Sequence, residues 1–252
     1  MGALTDVTTD VTTDVTTGAA ATTTADVVVD LATAQVRELN ARLHAVAPAA
    51  GPSTWRVLHP AGKHNIAVGL DRDLTVEVEG HVGYFCAGMN QQAAVVVHGN
   101  AGNGVAENMM SGRVHVRGNA SQAAGATAHG GLLVIDGDTS ARCGISMKGV
   151  DIVVGGSVGH MSAFMAQAGR LVVCGDAGDA LGDSIYEARL YVRGSVKSLG
   201  ADCVEKEVRA EHLAELAGLL AAAGRDEDPA QFRRYGSART LYNFHVDNAS
   251  AY

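Results

Sequence analysis

The sequence predicts an all-β solenoid: a parallel β-helix of about seven turns of nineteen residues, with short helices flanking it at both ends. A glycine recurs every nineteen residues, aliphatic residues stand four and two positions before it, and the position seven after it is always Ala or Gly. A unit this short cannot bury its own apolar face, so the copies must stack on one another. The recurring glycines are Gly80, Gly99, Gly118, Gly137, Gly156, Gly175 and Gly194.

Each turn is predicted to begin with a short strand that ends at its glycine. The aliphatic pairs, such as Val76 and Val78 before Gly80, alternate as in a strand with one buried face. All fourteen of these positions are aliphatic. Nineteen residues leave no room for a helix in every turn, and leucine is scarce, so the pattern favours a β-helix over a leucine-rich horseshoe.

The residues after each strand predict the corners of the solenoid. The position after the glycine holds Asn, Asp or Ser, with His81 as the larger variant, and such residues form turns by bonding their own backbone. A glycine corner with a positive φ would make Gly137→Val costly by about 1 to 3 kcal/mol. The run at 99–104 reads G-x-x-G-x-G with no Walker lysine, which indicates a corner rather than a phosphate loop.

The repeat divides the chain into four parts. Residues 1–25 are low-complexity Thr, Asp and Val sequence, which is typical of a disordered tail. Residues 26–73 are predicted to form an N-terminal helix and cap, and residues 74–206 the β-helix. Residues 207–252 are predicted to form a C-terminal helix followed by an aromatic docking tail.

The spacing of apolar residues predicts two helices. Residues 33–47 place apolar side chains at helical intervals before Pro48, and residues 211–223 do so before Gly224, a helix stop. We expect the second helix to cap the open sheet end, since an unpaired edge invites aggregation. Residues 55–59 and 66–68 resemble short strands of a degenerate first turn, one period before Val76.

Composition excludes several classes of function. Nineteen basic residues against twenty-seven acidic ones, with no basic run, argue against a nucleic-acid partner. No apolar stretch reaches the roughly eighteen residues of a membrane helix, and the N-terminus lacks an export signal, so we expect a cytoplasmic chain. Cysteine and histidine spacing predicts no metal site, and the four cysteines are expected to be free, mostly buried thiols.

Function is expected where the turns differ from one another. Large side chains occupy roughly the same part of several successive turns, so stacking would align them as a ridge on one side of the solenoid. Methionine-rich surfaces of this kind suit partner binding. The alternative is that Met fills the wider end of the core. The aromatic tail either docks on a partner or folds back along its own rod. The candidate interface residues are Tyr84, Phe85, Met89, Asn90, Asn108, Met109, Met110, Met147, Met161, Phe164, Met165, Tyr186, Tyr242, Phe244 and His245.

Several segments resemble the GXGXG family, the right-handed β-helix that forms the C-terminal domain of the glutamate synthase large subunit. They are E-G-H-V-G-Y-F-C-A-G-M-N at 79–90, G-N-A-G-N-G-V-A-E-N-M-M-S-G at 99–112, C-G-I-S-M-K-G at 143–149, G-S-V-G-H-M-S-A-F-M-A-Q at 156–167, G-D-A-G-D-A-L-G-D-S-I-Y-E-A at 175–188 and H-V-D-N-A at 245–249. Within that family the chain is most similar to the free-standing subunits of N-methylglutamate synthases. A subunit of formylmethanofuran dehydrogenase is a more distant relative.

The resemblance implies a scaffold without catalytic residues or a cofactor of its own. Its expected partners are an amidotransferase-like subunit and an FMN-binding synthase subunit, with FMN and an iron–sulfur cluster in the partner chains. The alternatives are a subunit of another glutamate synthase, a formylmethanofuran dehydrogenase-like complex, or an independent enzyme with its site in the loops. Turnover of glutamate with methylamine by this chain alone would identify the last.

Overall fold

The computed structural model describes residues 27–47 and 53–239, which form a parallel β-solenoid, so the predicted fold class is confirmed. The predicted tail over residues 1–25 lies outside the described residues. The helices are α1 (Val36–His44) and α2 (Ala210–Ala223), with a short 3-10 helix at Pro229–Gln231. The strands are β1 (Val27–Asp30), β2 (Ser53–Leu58), β3 (Leu74–Glu79), β4 (Ala94–Val97), β5 (Arg113–Val116), β6 (Leu132–Ile135), β7 (Lys148–Val154), β8 (Ala168–Val173), β9 (Arg189–Val192), β10 (Cys203–Lys206) and β11 (Arg233–Ser237).

One sheet contains all the strands of the described residues, in the order β1 to β9, then β11 and β10. From β3 to β9 neighbouring strands are parallel, and residues pair with those nineteen positions later, as Val76 does with Val95, except at a register shift where Lys148 pairs with Ala168. The fourteen aliphatic positions identified in the sequence are fully buried inside the solenoid. Each such side chain stabilises the fold by about 1.5 to 3 kcal/mol.

The recurring glycines are required for close packing between turns rather than for a positive φ. Among the seven, only Gly80 has a positive φ, of 132°. A Cβ at Gly137 would lie 2.1 Å from Asn119 Oδ1 and 3.0 Å from the Gly118 carbonyl oxygen. The condition of a positive φ at Gly137 is therefore not met, and glycine is needed there because the preceding turn occupies the space that a side chain would need.

The polar residue after each glycine except the last, Ser195, accepts a hydrogen bond from the next turn, and does not bond to its own backbone as expected. Asn119 Oδ1 accepts a hydrogen bond of 2.8 Å from the Asp138 amide, and Asp138 Oδ1 accepts one of 2.7 Å from the Ser157 amide. His81 begins this column through Nδ1, which accepts from the Asn100 amide at 2.8 Å. Each residue type at this position carries a hydrogen-bond acceptor close to its own backbone, which explains why only Asn, Asp, Ser and His occur here. The members are His81, Asn100, Asn119, Asp138, Ser157, Asp176 and Ser195.

Three positions in each turn adopt left-handed backbone. They lie five, seven and nine residues after the glycine, in each of the six turns that begin from Gly80 to Gly175. The seventh position is always Ala or Gly, since a larger side chain would be strained there and would also point into the core. At Gly125, for example, a Cβ would lie 2.7 Å from Ile152 Cδ1. The restriction to Ala or Gly therefore has two causes, contact with the core and left-handed backbone.

The first end of the solenoid agrees only in part with the predictions. The helix expected within residues 33–47 is present as α1, with Leu39 and Leu43 fully buried. The degenerate first turn is present as β2, but Val57 pairs with Val78 rather than Val76, because the corner after β2 is longer. Residues 66–68 form a turn instead of a strand, and β1, which was not predicted, pairs in parallel with β2.

The prediction that the C-terminal helix caps the sheet end is wrong. Instead, α2 packs on the outer face of the sheet, where Leu216 and Leu220 contact Val153, Val172 and neighbouring side chains. The end of the sheet is closed by β11, antiparallel to β9, and by β10, antiparallel to β11. Charged residues on β10 protect this last edge against further pairing.

Candidate functional site

The loop side of the solenoid, formed by the left-handed segments, carries most of the predicted interface residues. Tyr84, Phe85, Met89, Met110 and Tyr186 are exposed large hydrophobic side chains there. Met165 and Asn108 are also exposed, whereas Met161 and Phe164 are half-buried. Tyr242, Phe244 and His245 lie outside the described residues.

Three predicted interface residues lie in the interior and are not available to a partner. Asn90, Met109 and Met147 are fully buried, and Asn90 Nδ2 donates to the Ala93 carbonyl at 2.8 Å. All three stand ten residues after a glycine, a position buried in each of six turns, whereas positions nine and eleven after it hold exposed residues such as Met89 and Met110. Counting from the glycine would have separated the two groups. The alternative that Met fills the core therefore applies to Met109 and Met147.

The exposed hydrophobic residues form two patches rather than one continuous ridge. Patch N comprises Tyr84, Phe85, Met89 and Met110, at the first turns. Patch C comprises the exposed Met165 and Tyr186 with the half-buried Met161 and Phe164, about four turns or roughly 19 Å further along the rod. At the fifth and ninth positions, the turns between them carry mostly small or polar residues. Those positions are Gly104, Asn108, Ala123, Thr127, Arg142 and Ser146.

Patch N borders a small cleft through two of its members, Phe85 and Met89. The Tyr84 ring stacks on His64 with centroids 4.5 Å apart and meets Phe85 edge-on at 6.4 Å. Beside these rings is a cleft of about 240 Å³ lined by residues that include Phe85, Met89 and Glu107. An apolar cleft with one carboxylate at its wall suits a long or aromatic side chain of another protein.

Both patches place bulky residues at strained, left-handed backbone positions. Phe85 has φ of 58° and Met89 of 56°, while Met161 and Met165 have φ of 55° and 52°. Bulky side chains rarely adopt this left-handed region, and each such residue costs on the order of 1 kcal/mol. Bulky residues kept at a stability cost on an exposed surface favour a binding role for that surface.

A network of charged groups fixes α2 to the outer face of the sheet. Glu215 on α2 accepts hydrogen bonds from Tyr191 Oη at 2.7 Å, from Arg189 at 2.6 Å and from Arg170 at 3.1 Å. Arg170 also holds Asp151 through two bonds, one of 2.8 Å. Burial raises the pKa of Asp151. Burial also opposes ionisation of Glu215, but Tyr191 and the two arginines prevail and lower its pKa.

The buried thiols are poor candidates for nucleophiles. All four cysteines are free and buried, which confirms the prediction. Burial raises the pKa of Cys86 and Cys143 to about 12, and of Cys174 and Cys203 to about 11.

Within residues 27–47 and 53–239, no group of three or more His, Cys, Asp or Glu side chains is arranged to hold a metal ion. No helix in the same ranges is long and apolar enough to cross a membrane.

Thiol titration is expected to show four unreactive cysteines in the native chain. At neutral pH, Ellman's reagent should react with all four only after unfolding in guanidinium chloride. Because the folded pKa values exceed the unfolded value of about 8.5, the unfolded state loses protons first. The free energy of unfolding should therefore fall as pH rises from about 9 to 11, and a fast-reacting thiol in the native chain would contradict the burial.

Comparison with known proteins gives one relative that spans nearly the whole chain. The chain is 62% identical over 226 residues to the protein GlxC of Rhizobium meliloti (strain 1021), a match that covers 89% of this chain and 99% of that protein. No family model matches the chain, and no solved structure matches it.

Proposed function

We propose that this chain, which belongs to the GlxC family, is a non-catalytic scaffold subunit of a heteromeric glutamate-synthase-like enzyme. The complex that we favour is an N-methylglutamate synthase, which converts methylamine and L-glutamate to N-methyl-L-glutamate and ammonia. An amidotransferase-like subunit and an FMN-binding synthase subunit are the proposed partners. FMN and an iron–sulfur cluster would belong to the partner chains.

Patch N is the observation that carries the proposal. Its four side chains are each more than 40% exposed, although burying them would be favourable, and two of them, Phe85 and Met89, line the cleft beside Glu107. Aromatic residues and Met are enriched in the cores of protein interfaces. The turns beneath the patch are rigidly stacked through the glycine contacts, so the patch presents a fixed surface to a partner.

The choice among complexes rests on the sequence resemblance rather than on patch N. A subunit of another glutamate synthase, or of a formylmethanofuran dehydrogenase-like complex, would use the same kind of docking surface. The cofactor of the partner chain separates these alternatives. Flavin is expected with a glutamate synthase, and a pterin-bound metal with the formylmethanofuran enzyme.

Co-purification with a tagged chain from its native host tests the proposal. We expect two further subunits, flavin absorbance, and turnover of glutamate with methylamine by the complex but not by this chain alone. Turnover by the chain alone would overturn the scaffold role. A complex that lacks flavin but contains a pterin would overturn the assignment to N-methylglutamate synthase.

Replacing Phe85 and Met89 together by Asn is expected to abolish partner capture without lowering stability. Asn tolerates left-handed backbone and already occupies the ninth position of the next turn as Asn108. The variant therefore removes the apolar surface and relieves the backbone. We expect at least tenfold less partner in a pull-down, which corresponds to about 1.4 kcal/mol.

Arg142→Asn is the matched control, because Arg142 occupies the fifth position of a turn between the patches and is also left-handed. Capture should be unchanged in this control. Equal capture by the double variant and the control would show that patch N does not bind the partner.

A further inference from the structure

The cleft beside patch N contains a carboxylate that has no partner in the described part of the chain. Glu107 is half-buried in the wall of this cleft, and no Lys, Arg or His side chain of residues 27–47 and 53–239 pairs with it. Glu215, by comparison, binds two arginines and a tyrosine. A half-buried carboxylate is less well hydrated than an exposed one, so it attracts a cation that enters the cleft more strongly.

The Glu107 carboxylate stands beside an aromatic ring. A Cβ at Gly104 would lie 2.7 Å from both Glu107 Oε2 and Phe85 Cδ1, so the two groups meet over this glycine. The Phe85 ring is 44% exposed and lines the same cleft. The face of an aromatic ring attracts cations, and in proteins the cation is more often Arg than Lys. Ring and carboxylate together therefore favour a cation in the cleft.

The other walls of the cleft suit the shape and the donors of a guanidinium group. Met89 contributes apolar surface, and Asn65 and Asn108 contribute amide groups that can accept hydrogen bonds. A guanidinium group is planar, weakly hydrated and has five N–H donors, so it can stack on a ring and bond a carboxylate at the same time. An ammonium group is a strongly hydrated point charge and uses such a site less completely.

Apolar and acidic occupants fit the cleft less well. An apolar side chain that closed the cleft would remove water from the Glu107 carboxylate and give it no partner in return. An acidic side chain would meet Glu107 as a like charge. The chain as a whole has a net charge of −8, so its field attracts cationic segments and repels acidic ones.

We infer that the partner of patch N inserts an arginine side chain into this cleft. Its guanidinium group pairs with Glu107 and stacks on Phe85, and its methylene groups pack against Met89. The inference rests on the proposed function for the statement that a partner covers patch N. The affinity of the cleft for a guanidinium group is a property of this chain alone.

Titration of the isolated chain with N-acetylarginine methylamide tests the inference. The chain is labelled with ¹³C-methyl methionine, and the Met89 signal should shift and saturate with a dissociation constant on the order of 1 mM, as expected for so small a ligand. The citrulline derivative has the same shape without the charge and should bind at least about tenfold more weakly. Met110, which is outside the cleft lining, and the buried Met109 and Met147 should keep their signals unchanged.

Glu107→Gln should abolish the preference for the arginine derivative over the citrulline derivative while preserving the shape of the cleft. Glu187→Gln is the matched control, because Glu187 is an exposed carboxylate elsewhere on the surface and its loss changes the net charge by the same amount. The preference should persist in this control. Its loss in both variants would show attraction by the whole chain rather than pairing with Glu107, and would overturn the inference.

The remaining outcomes also contradict the inference. Equal binding of the arginine and citrulline derivatives, or no shift of Met89, would show that the cleft does not select a cation. Equal binding of the lysine derivative would show that a point charge suffices, and tighter binding of the phenylalanine derivative would make an aromatic ring the occupant. Because the titration contains this chain alone, its result does not depend on partner capture. The Phe85 and Met89 pull-down tests the proposed function separately, so the two failures are distinguishable.

Discussion

Gly137→Ala is expected to lower the free energy of unfolding by about 2 to 4 kcal/mol, through overpacking and loss of an interturn hydrogen bond. The added methyl group would lie 2.1 Å from Asn119 Oδ1, which must move and release the Asp138 amide. It would also lie 3.0 Å from the Gly118 carbonyl oxygen, which belongs to the backbone and cannot rotate away. Denaturant unfolding followed by circular dichroism measures the loss.

Gly218→Ala is the matched control for this substitution. Gly218 lies within α2, and a Cβ there would meet nothing within 4 Å. Alanine should raise the free energy of unfolding by up to about 1 kcal/mol, because it favours a helix over glycine. Unfolding midpoints that are equal for Gly137→Ala and the wild type would contradict the close packing between turns.

Glu215→Ala is expected to destabilise the chain by about 2 to 3 kcal/mol, and the effect should be concentrated in α2. The substitution leaves the buried Tyr191 hydroxyl without its acceptor and removes the only carboxylate on α2 that joins Arg170 and Arg189. Hydrogen exchange should show faster exchange of α2 amides while strand amides remain protected.

The Glu215 contribution should also depend on pH. The folded-state pKa of Glu215 is lowered, so its stabilising effect is present above the unfolded value of about 4.3. That effect is lost as pH falls through the folded pKa, so the difference between wild type and variant should shrink in acid. Glu211→Ala, on the same helix but exposed, should change neither quantity. Unchanged α2 protection in Glu215→Ala would show that the network does not hold the helix.

The repeat was predictable because each of its positions has a local physical requirement. Strand alternation and the small seventh residue can be read from residue types alone, and they place the fourteen core side chains correctly. The sequence does not show why glycine is required at these positions. A positive φ and a close backbone contact both demand glycine, and only the stacked turns show which of them applies at Gly137.

The position of α2 has a signal in the sequence. The outward positions three residues before the glycines hold Glu77, Val96 and His115 in the early turns, whereas three consecutive later turns hold Val134, Val153 and Val172. An apolar outer face requires a cover, which α2 provides. By contrast, β1 and β11 are short, and their pairing depends on distant strands, so local patterns do not reveal them.

The loop side could be predicted only as a region. Methionine occurs at the exposed ninth and eleventh positions and at the buried tenth position, as Met89, Met110 and Met109 illustrate. Residue type therefore does not decide exposure here, whereas position relative to the glycine does. The division into two patches follows from which turns carry bulky residues at left-handed positions, and left-handed backbone at a bulky residue is not expected from sequence.

The placement of α2 also determines how the number of turns could change. The helix runs along the rod: Glu215 contacts β9 through Tyr191, and the carbonyl of Ala222, near its other end, accepts from Arg113 on β5 at 2.7 Å. These two anchors are seven residues apart, roughly 10 Å along the helix, and the long Arg113, Glu215 and Tyr191 side chains span the rest of the roughly 19 Å between β5 and β9. Deleting one nineteen-residue unit between β5 and β9 would separate these anchors from their partners. A unit added or removed between β3 and β5 would leave both anchors in place. The helix α2 therefore fixes the number of turns between β5 and β9, whereas the number of turns before β5 is free to vary.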